Sequence, residues 1–518
     1  TSGFPFSVSS PSGLRVEVNA NGSIRRIDHT DILLNLFLGT EVEGGPANLY
    51  LRRHGANVEP TPLLGPRSPA AFHFEPDGMA AYGLWKGIRF RVSLALAKTS
   101  PAWFWHVALA NTGNSPETLD LIYAQDLGLA HYGAVRINEY YISHYVDHTA
   151  LLHPQRGFVL CSRQNLPMGG RNPWTLIGSL GRGVSYATDA LQFHGLATRA
   201  GRSPAGLIEG LPGTRLQHEH SMAAVQDAPL RLQPGEITSS GFFGWFEAHH
   251  EPATTPSDLE IVDRALGLPE ALPPPQQGGF AEQGENRRAE GGRTEGRGTG
   301  RGDGAGGCGP ALSAETLFSS APLLEALDLT GPEIEDLFGP ERREEEREEG
   351  RLLSFFTGTH RHVVLREKEL KVLRPHVHLL RTGSRLTPDE AALASTAWMD
   401  GVFHSMVTQG HVGINRFLST VHGYVSLLRA DGQRIFVEMD RGWRLLGVPS
   451  AFEMTPQGCR WVYKHRDGTI AVRSTAGIDR HELTLSIDVL SGPPVRLLLV
   501  SHVAVGGDDG SEAVPAPV

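Results

Sequence analysis

Apolar residues recur at every second position through much of the first 250 residues. Leu14, Val16 and Val18 alternate with polar neighbours, and Ile24 and Ile27 resume the pattern after Asn21-Gly22. Asn-Gly between two such runs predicts a tight hairpin, because both residues tolerate positive φ. Ile88, Phe90, Val92, Leu94 and Leu96 put five apolar groups on one face of a strand. Trp103, Trp105, Val107 and Leu109 do the same before the turn Asn111-Thr112-Gly113, and shorter runs follow at 158–160, 184–187, 230–232 and 242–246. Many short strands punctuated by Gly, Pro and Asn predict a large antiparallel β-sandwich over 1–256.

The pattern then changes. Ser257 with Glu260 three residues on has the form of a capping box, predicting a short helix that carries Leu259, Ile261, Val262 and Leu266. From Pro273 to about Pro310 periodicity gives way to Gly, Arg and Glu repeats with few aliphatics. Such a stretch cannot bury enough apolar surface to offset its ordering entropy, which predicts a flexible linker. Leu323, Leu324 and Leu327, then Ile334, Leu337 and Phe338, predict two short helices, and the charged run 341–349 a solvated helix face or linker. Residues 257–350 are thus expected to form a helical and low-complexity linker.

A second β-rich section covers 351–506. Thr387-Pro388-Asp389-Glu390 is a helix-start signal and predicts a helix over 391–399. Hairpins are expected at Asp431-Gly432 and Asp467-Gly468. Leu483, Leu485, Ile487 and Val489 alternate, and 497–500 is continuously apolar, predicting a second, smaller sandwich. The Gly/Asp/Pro-rich residues 507–518 predict a disordered tail. The expected fold class is mainly β: two antiparallel β-sandwich domains joined by a partly disordered Gly/Arg-rich linker with short helices.

Bulk properties narrow the partners. A chain of 518 residues exceeds one hydrophobic core, and a formal charge of −10 argues against nucleic acid. Cys161, Cys308 and Cys459 are sparse and odd in number, which suits a reducing compartment better than a disulfide scaffold. No run approaches the ~18 apolar residues of a membrane helix, and Thr-Ser-Gly-Phe-Pro-Phe at the start has no signal-peptide character. The expectation is a cytoplasmic protein with neither nucleic-acid nor membrane partners.

The chemistry lies in two crowded blocks. In 138–147, Tyr140, Tyr141, His144 and Tyr145 combine flat apolar rings with polar tips, suited to stacking on a pyranose while bonding its hydroxyls; a Tyr-rich sandwich rim or a contact between domains is the alternative. Arg163 and Gln164 add planar donors and acceptors nearby in sequence. In 398–415, Trp398, His404 and Asn415 mix aromatic, imidazole and amide groups in the same way, although a core strand can carry that mixture too. His360/His362 and His376/His378 have zinc-compatible spacing, but no nearby Cys or carboxylate completes a set, so no metal is expected. Phosphate cradles and a Gly-x-Ser-x-Gly elbow are absent, which excludes nucleotide-binding and α/β-hydrolase chemistry. Glycoside cleavage would need paired carboxylates. Glu139, Asp147, Asp400, Glu438, Asp440 and Glu453 lie beside aromatic groups, and nothing in the sequence pairs any two of them.

Several of these blocks resemble the N-terminal sandwich portion of 1,2-β-oligoglucan phosphorylases of glycoside hydrolase family 94, which is related to cyclic β-1,2-glucan synthases. They are 138–147 with Cys161-Ser-Arg-Gln-Asn165, 395–404, Gly442-Trp443-Arg-Leu-Leu, Pro449-Ser-Ala-Phe-Glu453-Met and Cys459-Arg-Trp461. The resemblance implies phosphorolysis of β-1,2-glucooligosaccharides to α-glucose 1-phosphate with inversion. Inorganic phosphate would be the co-substrate, and no metal or organic cofactor is implied. It also implies a mutarotase-like supersandwich for the first domain and a helical (α/α)₆ barrel that carries the general acid. No succession of long amphipathic helices occurs here, so the expectation is a non-catalytic portion whose barrel is encoded downstream or lost. A stand-alone carbohydrate-binding or scaffolding protein is the alternative. No catalytic residue is assigned. The expected substrate-binding set is Tyr140, Tyr141, His144, Arg163, Gln164, Trp398, His404 and Asn415.

Overall fold

In the first 270 residues, nearly every segment with period-two alternation is a strand, and short helices close what the sheets leave open. The computed structural model describes residues 5–75, 78–274, 316–373, 377–383, 393–399, 406–409, 433–455 and 457–501. Strands account for 50% and helices for 14% of it. A five-stranded sheet runs in the order Phe6–Ser9, Leu14–Val18, Ile24–His29, Ile32–Leu33, Ala130–His131. It packs against one face of a fourteen-stranded sheet whose path runs from Val58–Pro62 to Ala70–Glu75.

The Asn21-Gly22 turn forms as expected: Leu14–Val18 pairs antiparallel with Ile24–His29, and Gly22 has φ 77°. Any side chain there would also collide with the Phe72 ring, 2.2 Å from the position of a Cβ. The strand Ala102–Asn111 explains why its sequence reads as more than simple alternation. Trp103 and Trp105 point into the core shared by the two sheets, and the Trp103 indole donates to Tyr123 Oη at 3.2 Å. Phe104 points the other way, into a second cluster with Trp174, Phe243, Ile261 and Val262. The helix Glu260–Leu266 supplies that second cover. Gly244 on the neighbouring strand is required, because a Cβ there would stand 2.0 Å from the Trp103 ring.

A further insertion, between Gly183–Asp189 and Ser221–Asp227, folds back over the same sheet. Its helices Ala190–His194 and Ala205–Ile208 bury Phe193 and Leu207 against Ile122 and Met222. Beneath it Arg52 and Asp120, both fully buried, pair through two hydrogen bonds of 2.7 and 2.5 Å, with Gln226 donating to the same carboxylate at 2.8 Å. A buried charge pair of this kind persists only because its remaining valences are met.

The second region centres on a seven-stranded sheet, in the order Arg342–Glu348, Arg351–Thr357, His362–Leu365, Ala451–Thr455, Gly458–His465, Gly468–Ala476, Leu483–Ser491. Two three-stranded sheets complete it, and one core joins all three through Trp461, Tyr463, Val472, Leu380, Ala397, Ile435 and Val437. The Asp467-Gly468 hairpin forms as expected, between Gly458–His465 and Gly468–Ala476. Asp431-Gly432 lies outside the described residues.

Four sequence expectations need correction. The helix expected over 391–399 is instead the strand Leu393–Trp398, central between Val377–Arg381 and Met406–Gln409. Pairing on both edges, with Ala394 and Ala397 buried, outweighs the local capping signal. The charged run is an edge strand, Arg342–Glu348, not a helix face, though it is solvated as expected. Segment 316–338 is not a linker: Leu324 and Ala326 enter the second core, while Ile334 and Phe338 pack on Phe355 and Val462. The capping box before Glu260–Leu266 is formed by Thr255 and Asp258, two residues earlier than expected.

The two regions meet through buried Arg199, at the end of the insertion's 3₁₀ turn Leu196–Ala200. Its guanidinium donates to the carbonyls of Glu369 at 3.0 Å, Val372 at 2.5 Å and Leu373 at 2.9 Å. These carbonyls end the helix Arg366–Lys371, where a cation also suits the helix dipole.

Candidate functional site

The Tyr-rich block is the short helix Glu139–His144. Asn138 caps it, accepting from Tyr141 N at 3.0 Å, and the capping residue leaves helical geometry at φ −160°. A six-residue helix has most of its carbonyls unsatisfied within itself, and two glutamines meet them. Gln164 Nε2 donates to Ile142 O at 3.1 Å and to Gly128 O at 2.9 Å; Gln217 Nε2 donates to His144 O at 2.7 Å. Ser143 Oγ accepts from Ser221 N at 2.6 Å, fastening the helix to the strand Ser221–Asp227.

Opposite the helix stands the segment 217–220, the last residues of the insertion. His218 N donates to Asp189 Oδ2 at 3.0 Å, while Asp189 Oδ1 caps the next helix through Leu191 N at 2.8 Å. Burial pushes the Asp189 carboxyl up to about 6, against those backbone bonds. His220 lies flat under Tyr140, ring centroids 5.1 Å apart and 19° between planes, and meets Phe37 edge-on at 4.9 Å. Phe37 is held by Asp126, whose Oδ2 accepts from Phe37 N at 2.7 Å and Leu36 N at 2.9 Å. Below, buried His148 bridges Ser162 Oγ at 2.8 Å and Ser221 Oγ at 2.9 Å, and burial pushes it down to about 3, so it is neutral.

Between helix and segment opens a cleft of about 320 Å³ lined by His144, Gln217, His218 and Glu219. Tyr141 and Tyr145, 47% and 37% exposed, stand together with centroids 4.9 Å apart. The opening itself offers imidazoles, an amide and one carboxylate, and Tyr141 and Tyr145 stand exposed on and just after the helix that carries His144, a binding chemistry for a neutral polyhydroxylated molecule.

The expected site residues separate. Tyr140, Tyr141 and His144 share the helix, with Tyr140 turned towards His220 and His144 in the cleft wall. Gln164 is fully buried and spends its side chain on Gly128, Ile142 and Leu166, so it braces the helix instead of facing a ligand. Arg163, its neighbour on the strand Gly157–Gln164, points to the opposite face and donates to His250 O and Glu251 O, each at 2.7 Å. Trp398 ends the strand Leu393–Trp398 with Val377 as its cross-strand partner. His404 and Asn415 lie outside the described residues.

Of the carboxylates, Glu438 bonds Arg496 at 2.7 Å and Glu453 is buried between Arg361 and Arg460. Asp147 lies 3.7 Å from Arg215, and Asp400 is outside the described residues. Among the described residues no group of three or more His, Cys, Asp and Glu could hold a metal ion. Sequence reasoning missed Gln217, His218 and Glu219, although Gln-His-Glu-His directly before a strand is an unusual density of polar rings and amides.

In this chain, residues 17–244 match the SOGP N-terminal domain, and 339–514 the glycoside phosphorylase supersandwich domain. Along 491 residues, 94% of its length, it is 29% identical to a 1,2-β-oligoglucan phosphorylase of Listeria innocua serovar 6a, and it spans 41% of that relative's length. It therefore resembles the N-terminal β-sandwich portion of these phosphorylases. Solved structures with some likeness include a polysaccharide lyase, 14% identical over 46% of this chain and 33% of that one with TM-score 0.31. A galactose mutarotase related enzyme from Lactobacillus acidophilus is 10% identical over 49% of this chain and 100% of that one, with TM-score 0.27. Scores this low carry no argument.

Proposed function

We propose that this chain is the sandwich-bearing, non-catalytic portion of a phosphorylase acting on β-1,2-linked glucooligosaccharides, of glycoside hydrolase family 94 type. The observation that carries this reading is a likeness running through both β domains, over 94% of the chain, to a 1,2-β-oligoglucan phosphorylase. The reaction would transfer a terminal glucosyl unit to inorganic phosphate. Phosphate oxygen attacks the anomeric carbon, a carboxylic acid protonates the departing glycosidic oxygen, and α-glucose 1-phosphate leaves with a shortened chain. Neither metal nor organic cofactor takes part in that balance. The acid and the phosphate site would belong to a helical domain outside these residues, with the glucan as the other partner. Free, buried Cys161 and Cys459 support a reducing, cytoplasmic setting.

The direct test is glucose 1-phosphate release from β-1,2-glucooligosaccharides and phosphate. These 518 residues alone are expected to release none, and measurable release would sink the reading. A helical-barrel reading frame directly downstream in the DNA would support it. The cleft favours a second reading, a stand-alone carbohydrate-binding module, which predicts glucan binding with no such frame nearby.

A further inference from the structure

We propose that the cleft walled by His144, Gln217, His218 and Glu219 is a glucan-holding subsite for one or two glucosyl units, with Tyr141 and Tyr145 as its aromatic platform. This rests on the oligoglucan reading above and adds the place on this chain where the sugar sits.

Four observations converge. Tyr141 precedes His144 by three positions, so the platform and a polar wall share one helical face. Tyr145 leans on Tyr141 with planes 60° apart, presenting two ring surfaces to solvent where a single exposed tyrosine would be unremarkable. The described lining residues are two histidines, an amide and one carboxylate, with no Lys or Arg among them, which disfavours a phosphate or nucleotide and suits hydroxyl groups. The opening is shallow, and its volume of about 320 Å³ falls at the low end of ligand pockets, which run from about 300 to 1,000 Å³.

The walls are also pre-arranged. Asn138, Gln164 and Gln217 fix the helix, and Asp189 fixes the segment carrying His218, so little ordering is needed when a ligand arrives. Phosphorolysis takes an acid and a cationic seat for phosphate, and among the described lining residues Glu219 stands without Lys or Arg, so this subsite holds sugar and does not cut it.

The experiment is calorimetric titration of the purified chain with β-1,2-linked glucotriose, and with the β-1,3- and β-1,4-linked trisaccharides in parallel. Saturable binding of the β-1,2 sugar is expected, weakened at least tenfold in Tyr141→Ala and in His218→Ala. Tyr82→Ala, on the exposed strand Gly78–Trp85 and packed on Arg91, is expected to bind as the parent does. Thermal melting of each variant separates lost binding from lost folding. The subsite is overturned if the chain binds none of the sugars, or if folded Tyr141→Ala and His218→Ala bind as the parent does. It is also overturned if Tyr82→Ala is the variant that loses binding. Cleft-dependent binding of another linkage in place of β-1,2 keeps the subsite and sinks the β-1,2-glucan reading.

Discussion

The two β regions close their cores in different ways. The first covers its wide sheet with a smaller sheet, a following helix and helices inserted between its own strands, and the ends of two such insertions form the cleft: the helix Glu139–His144 and segment 217–220. The second is covered by chain that precedes it, residues 316–338, and ends among the described residues in a charged edge strand. Insertions within a sheet are free to vary without disturbing strand order, so they are where a sandwich places recognition. A cover laid down before the sheet is bound into the core, as Leu324, Ala326, Ile334 and Phe338 are here.

The largest expected effect tests whether the cores are separate. Trp103→Ala should cost about 3–5 kcal/mol and lower only the first region's unfolding transition in denaturant, with Trp461→Ala doing the same for the second. Equal shifts of both transitions would show one cooperative unit and dissolve the comparison. Next comes acid. His148 is neutral when folded, with its pKa pushed down to about 3, while an unfolded histidine takes its proton near pH 6.5. From pH 6.5 down to about 3 the unfolded chain thus binds the extra proton, and stability falls as pH falls, by on the order of 4 kcal/mol at the bottom. His148→Gln, which can still bond Ser162 and Ser221, should lose part of that acid sensitivity in pH-dependent denaturation, and an unchanged slope would assign it to other groups.

A smaller effect probes the joint between the regions. Arg199→Ala removes three donors from the helix end at 369–373 and should cost about 1–3 kcal/mol, read as faster proteolysis around 366–373 with the first region's core intact. The least effect belongs to the edge. Arg347→Ala breaks an exposed pair with Glu345 of 2.8 Å and should change stability by about 0.5 kcal/mol or less in thermal melting.

What was legible in the sequence was whatever the chain encodes locally. The hairpins at Asn21-Gly22 and Asp467-Gly468 and the buried faces of 88–96 and 103–109 follow from turn chemistry and period. The strand at 393–398 was not, because its partners are brought to it by the fold while its helix-start signal sits beside it. The site was half legible for the same reason. Tyr140, Tyr141 and His144 are close in sequence, but Gln217, His218 and Glu219 reach His144 through the fold, where Ser221 N donates to Ser143 Oγ across 78 positions. Gln164, a polar residue close in sequence to the aromatic block, spends its side chain on Gly128, Ile142 and Leu166, bonds that sequence does not show.

The charged edge has a practical consequence for handling the protein. Its pairs of Arg347 with Glu345, Lys371 with Glu348 and Lys368 with Glu346 sit at the surface, where salt screens them within about 3 Å at 1 M. Beneath the charges the strand Arg342–Glu348 still bears a row of backbone groups that template pairing with another chain. Concentrated salt therefore removes the guard and leaves the template, so this protein should self-associate in brine and disperse in dilute buffer.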